Sequence, residues 1–221
     1  FSIMDHSPGQ GQFKTMESFL HYYANTYAIS LARAEQIGRE RTHQSSRAWE
    51  DSFELLETVR TFDIPILSHD DDTAAKVDMI AALGAAGSEF PVSLEAACQA
   101  REEGLHVCMG SPNLLRGRST NNNVTASEIL TAGLCDTLVS DYSPESLSQS
   151  PFFAHRELGL GLAEALSTVT SNPGSLLSHG RASPGRLLPG AQADLVVIDT
   201  TPPWARVWET WVGGQRVYAA H

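Results

Sequence analysis

Histidines and carboxylates follow directly on short apolar runs at several points of this 221-residue chain. Asp5 and His6 come after FSIM, His69 through Asp72 after IPILS, Glu89 before Phe-Pro, Asn113 after LHVCMGSP and Asp141 after TLVS. Imidazole nitrogens and carboxylate oxygens are strong donors, and a protein that offers both can leave a coordination position open for water. Such a set suits a borderline divalent cation, zinc or manganese. His6, His69 and Asp141 are the expected metal ligands, one from each of three segments. Asp141 is also the expected general base, because a partly buried carboxylate beside metal-bound water is what proton abstraction needs. Any one histidine at a strand end is more often a hydrogen-bonded structural residue. Three segments delivering ligand types to one rim favour the metal. His21, His43, His106, His155, His179 and His221 lie on expected helices, loops or strand starts and read as solvated. Within Asp70-Asp71-Asp72, at least one carboxylate is expected only to cap the helix that follows.

The stretch GSPNLLRGRSTNNN, residues 110 to 123, reads as a long loop with two arginines, four asparagines, Ser119 and Thr120. Guanidinium forks suit phosphoryl oxygens, so Arg116, Arg118 and Asn113, together with Asp70, are the expected substrate contacts. The competing reading is a solvated loop. SPGQGQF, residues 7 to 13, is glycine-rich but lacks the lysine and spacing of a phosphate-binding loop. No G-x-S-x-G stands in the sequence.

Positioning such residues takes strands that end at one rim. The runs at 1–9, 64–73, 88–91, 105–113 and 136–144 are short and apolar, and helical periodicity separates them, as in buried parallel strands joined by crossover helices. The spacing predicts helices over 73–86 from a Thr cap to a stop at Gly87, over 92–103, and over 125–132 with a Thr125-x-x-Glu128 capping box. Two more, over 15–29 and 31–62, form an insertion between the first two strands, and another over 160–171 ends at Asn172-Pro173. Beyond 185 the pattern alternates in period two, and Gly213-Gly214 marks a tight hairpin. The fold class expected is therefore α/β with a parallel sheet: a partial (β/α)8 barrel over residues 1–178, then part of a small β-sandwich over 179–221. A full barrel takes about 250 residues, and five parallel strands leave an open edge.

The net charge of −11, from 15 Lys+Arg against 26 Asp+Glu, excludes a surface built to neutralise nucleic-acid phosphates. An anionic substrate must then be gathered by a metal or by local arginines. Cys98, Cys108 and Cys135 lack C-x-x-C spacing, read as core, and suit a reducing, cytoplasmic compartment. No apolar run reaches the ~20 residues of a membrane span. The chain opens on Phe1 inside a strand-like run, so a piece of a longer chain is expected, and a homo-oligomeric state is left open.

At these same residues the sequence resembles a known family. MDHSPGQGQF (4 to 13), SHDDDT (68 to 73), EFP (89 to 91), MGSPN-x-x-RG (109 to 117), SDYSPESL (140 to 147) and PGAQADLVVID (189 to 199) are together similar to the PhnM-type diphosphatases of phosphonate catabolism, in the amidohydrolase superfamily. The resemblance implies a (β/α)8 barrel with a small β-sandwich built from both chain ends. It implies hydrolysis of α-D-ribose 1-methylphosphonate 5-triphosphate to the 5-phosphate and diphosphate. By the same resemblance His6 and His69 are barrel-rim histidines, Asp141 is the last-strand aspartate that binds metal and moves protons, and Arg116 is the arginine of the substrate loop. Two departures stand out. The family's first-strand H-x-D or H-x-H motif is absent, and Thr120 replaces a histidine of the loop. The alternatives weighed are an amidohydrolase acting on a cyclic amide, N-acyl or amidine substrate, and a non-catalytic subunit.

Overall fold

The computed structural model describes residues 1–119, 123–178, 184–201 and 203–220, with only the helical backbone given for 46–54. Thr120, Asn121, Asn122, His179 and His221 lie outside the described residues, as does the start of the segment expected to form the β-sandwich.

Five short strands form one sheet: β1 (Ser2–Ile3), β2 (Leu67–His69), β3 (Gly87–Glu89), β4 (His106–Gly110) and β5 (Thr137–Val139). Their spatial order is their chain order, and β1–β2, β2–β3 and β4–β5 pair in parallel. An unreversed order with helical crossovers is the winding of a (β/α) barrel, whereas a doubly wound sheet reverses direction. A separate antiparallel sheet holds β6 (Leu195–Asp199), β7 (Arg206–Val212) and β8 (Gln215–Ala219). Val212 faces Gln215 across Gly213 and Gly214, whose φ angles of 55° and 80° are the left-handed pair that a two-residue hairpin needs.

The chain divides into two compact units, residues 1–107 with 119–124, and residues 108–118 with 125–221. In the first, α1 (Met16–Tyr27) and α2 (Leu31–Arg60) fill the insertion between β1 and β2. Thr15 caps α1 reciprocally with Ser18, and Ser30 caps α2. Phe13, Phe19, Tyr23 and Ala34 close one core there; Ile3, Leu56, Val59 and Ile66 close another under the strands. The crossovers α3 (Ala74–Ala82) and α4 (Leu94–Glu102) begin at Thr73 and Ser93, each accepting a backbone N–H from its own first turn. The second unit carries α5 (Ser111–Arg116), α6 (Ala126–Thr131), α7 (Pro144–Leu158), α8 (Leu162–Ser167) and α9 (Ser171–Ser178).

Several boundaries differ from expectation. Helix α3 ends at Ala82, and Gly87, read as its stop, instead opens β3. A Cβ at Gly87 would stand 2.5 Å from the His106 carbonyl oxygen and 2.8 Å from Leu67, so only glycine lets these strands approach. The stretch read as one long loop contains α5, with Pro112 in its first turn and Gly117 in the left-handed conformation at its end. Asn172-Pro173, read as a helix terminator, stands inside the first turn of α9, where a missing proline N–H costs nothing. Helix α7 was not foreseen. Cys98 is exposed, not core; Cys108 is buried and Cys135 half-buried, and none of the three is in a disulfide.

Candidate metal centre

β1 and β2 end side by side, and the residues just past them meet. His6 lies three residues beyond β1, and His69 is the last residue of β2. Asp70 follows with φ of 55°, a left-handed conformation that an L-residue adopts at a cost of ~1–2 kcal/mol. This turn folds the Asp70 carboxylate back between the two imidazoles: Oδ2 is 3.2 Å from His6 Nε2 and Oδ1 is 3.2 Å from His69 Nδ1. The ring centroids of His6 and His69 are 5.5 Å apart. Phe13 packs edge-on against His6 and Phe90 against His69, which walls the group with apolar surface.

One ligand atom from each of His6, His69 and Asp70 lies within 4.8 Å of the other two. His6 Nε2, His69 Nδ1 and Asp70 Oδ2 are buried and have no hydrogen-bond partner of acceptable geometry. Buried polar atoms are nearly always satisfied, so three orphans converging on one point fit a cation that takes their lone pairs. A divalent ion of the zinc or manganese type matches this N, N, O donor set.

The electrostatics follow from the same contacts. Burial by itself pushes the His69 imidazole down, but the adjoining Asp70 carboxylate and the charge of Glu89 outweigh it and hold the group above its ordinary value. Burial likewise pushes Asp70 up, and His6 and His69 outweigh that, so its carboxyl sits below the usual range. Asp5, beside His6, is also held low against its burial, by Ser45, the Ser7 hydroxyl and backbone N–H, and Gln10. Its carboxylate accepts from the Ser7 N–H at 2.8 Å and the Ser45 hydroxyl at 2.6 Å.

The other two aspartates of the run have different work. Asp71 is fully buried and accepts from the hydroxyls of Ser68 at 2.6 Å and Ser88 at 2.5 Å. Asp72 accepts the backbone N–H of Gly11 at 3.1 Å, tying the loop after β1 to the turn after β2. Helix α3 is capped by Thr73, so the capping role expected for one of these carboxylates falls to that threonine.

The other expected residues, Asp141, Arg116, Arg118 and Asn113, belong to the second unit. Asp141 follows β5 with φ of 49° and is exposed in this chain, where partial burial was expected. Arg116 ends α5 with its Nε donating to the Pro112 carbonyl at 3.2 Å and its guanidinium over the Tyr142 ring at 5.7 Å. Arg118 is exposed. Asn113 Oδ1 accepts the N–H of Ala126 at 2.9 Å, a structural bond at the start of α6. The part of Asp70 was missed: it was expected at the substrate and stands among the candidate ligands. Its adjacency to His69 in SHDDD was the available signal, but the backbone reversal that aims it is not written in the residue types.

No family model matches the sequence. Over 220 residues, 98% of this chain, it is 36% identical to the α-D-ribose 1-methylphosphonate 5-triphosphate diphosphatase of Escherichia coli K12, 58% of which is covered. Over 60 residues, 27% of this chain and 10% of the relative, it is 42% identical to the adenine deaminase of Methanopyrus kandleri. Among solved structures, an amidohydrolase from Thermotoga maritima matches 93% of this chain and 55% of its own at a TM-score of 0.57 and 19% identity. Ochratoxinase of A. niger matches 76% and 44% at a TM-score of 0.56 and 16% identity. The chain thus spans little more than half of the diphosphatase it matches along nearly its whole length, and it shares its fold with the two solved structures.

Proposed function

We propose, from the 36% identity along nearly the whole chain to the E. coli diphosphatase, that this chain belongs to the same family and works as part of a metal-dependent hydrolase that cleaves a phosphoanhydride bond of α-D-ribose 1-methylphosphonate 5-triphosphate and releases diphosphate. The observation that carries the metal dependence is the convergence of three buried ligand atoms from His6, His69 and Asp70, none of them in a well-formed hydrogen bond. His6, His69 and Asp70 would hold a divalent ion there, and it would supply Lewis acidity for activating water near neutral pH. In this reading the Asp141 carboxylate accepts the proton of the attacking water. The water oxygen bonds to phosphorus as the bridging oxygen leaves with diphosphate. Arg116 and Arg118 pair with phosphoryl oxygens and offset the charge that builds on them, while the apolar walls Phe13 and Phe90 keep bulk water from the two imidazoles. With a net charge of −11 on the chain, these local cations are what makes an anionic substrate welcome. The free cysteines suit a cytoplasmic setting.

A second reading, hydrolysis of a cyclic amide or amidine, draws on the short match to an adenine deaminase. One experiment decides between them. The full chain is stripped with a chelator, reloaded with Zn²⁺ or Mn²⁺, and offered a ribose 5-triphosphate and a panel of cyclic amides and aminopurines. Metal-restored release of diphosphate is the expected result. Turnover of the amides or amidines alone would overturn the phosphoanhydride assignment, and diphosphate release undiminished by the chelator would overturn the metal dependence.

A further inference from the structure

Lys76 lies on α3, seven residues past His69, and its side chain runs back beneath the turn that carries the candidate ligands. Its ammonium donates to the carbonyl oxygen of His69 at 3.1 Å and of Asp70 at 3.2 Å, and it stands 3.3 Å from Asp71 Oδ1. An ammonium has three N–H donors, and here each has an acceptor. Two of those acceptors are the backbone carbonyls of the very residues whose side chains form the cluster. The third, Asp71, is itself anchored to β2 through Ser68 and to β3 through Ser88. The Lys76 side chain is 17% exposed and that of Asp71 fully buried, so the ion pair is little screened by water. The left-handed φ at Asp70 needs an external restraint of this kind, since the residue's own preference opposes it.

We infer that Lys76 is a positioning residue of the metal centre: by gripping the His69 and Asp70 carbonyls from below, it holds in advance the turn that aims both side chains at His6. The inference rests on the metal reading above and adds to it a residue that touches neither metal nor substrate. Groups that orient metal ligands from outside typically change affinity by about 10- to 100-fold when removed.

The test uses the full chain as Lys76→Met, which keeps the length and apolar stem without the charge. Lys76→Gln, which keeps two N–H donors for the carbonyls, is measured beside it in case the first variant does not fold. Zn²⁺ and Mn²⁺ affinities are taken by calorimetric titration at neutral pH, and thermal melting of the metal-free proteins is recorded alongside. The expected result is a 10- to 100-fold loss of affinity in Lys76→Met and a loss of about 3- to 10-fold in Lys76→Gln. A lysine with a merely structural role would lower the melting temperature and leave the affinity of the folded variant at its wild-type value, which overturns the inference. Absence of metal binding in the wild-type chain would instead overturn the functional reading, and this inference with it.

Discussion

Asp141 and Arg116 are assigned opposite parts in one reaction, and their substitutions separate cleanly. Asp141→Asn in the full chain keeps the shape and a donor oxygen but cannot take a proton, so kcat should fall by about 10²- to 10⁴-fold. The side chain is exposed, so the melting temperature should stay where it is. Near wild-type turnover would remove Asp141 from the mechanism. Arg116→Ala would remove the forked anion contact proposed for it and leave water activation alone, so KM for a triphosphate should rise much more than KM for any neutral amide the protein accepts; an equal rise for both would place the arginine elsewhere. Asp71 makes the contrasting case, a carboxylate whose importance is to the fold. Asp71→Ala strips acceptors from Ser68, Ser88 and Lys76 in a fully buried setting, and should cost about 3 kcal/mol in denaturant unfolding.

Helices here start where a hydroxyl can cap them, and that is why so many were legible in the sequence. Thr15, Ser30, Thr73, Ser93 and Thr125 each accept an N–H from the first turn that follows, a signal that is local and needs no tertiary context. The strand ends at His6, His69 and Asp141 were equally plain, because a buried parallel strand must break from apolar to polar at the rim. Helices containing proline were harder: α5 and α9 each hold one in the first turn, and α7 holds two, Pro144 in its first turn and Pro151 in its interior, and proline reads as a stop when residue type alone is considered. Least visible of all was the long reach of Lys76 to two carbonyls, since residue type carries no trace of a side chain's bonds to backbone. The capping box of α6 allows a quantitative check. Thr125→Ala should cost about 1 kcal/mol. The Glu128 carboxylate, hydrogen-bonded by the Thr125 N–H and hydroxyl, titrates below its ordinary 4.5. Its contribution is therefore complete above that value and fades as pH falls through the lowered one. Hydrogen-exchange protection of α6 should drop on acidification through that range, and Glu128→Gln should remove the dependence; a pH-independent protection factor in the parent would argue that the box contributes nothing.

At the scale of the molecule, β1 and β5 are the end strands of the parallel sheet, and the antiparallel sheet exposes Val196, Trp208, Val217 and Tyr218. Open strand edges and apolar sheet surface invite pairing with other chains. Residues 1–221 prepared by themselves should accordingly self-associate as concentration rises, as light scattering behind a sizing column would reveal; strictly monomeric behaviour over a hundredfold concentration range would contradict this. The backbone at Asp70 bears on the whole molecule in another way. Glycine would relieve its left-handed φ at once, at the loss of the carboxylate's contacts with the two imidazoles. Under selection for heat resistance alone, then, Asp70→Gly is a change the population should drift towards, trading the site for stability.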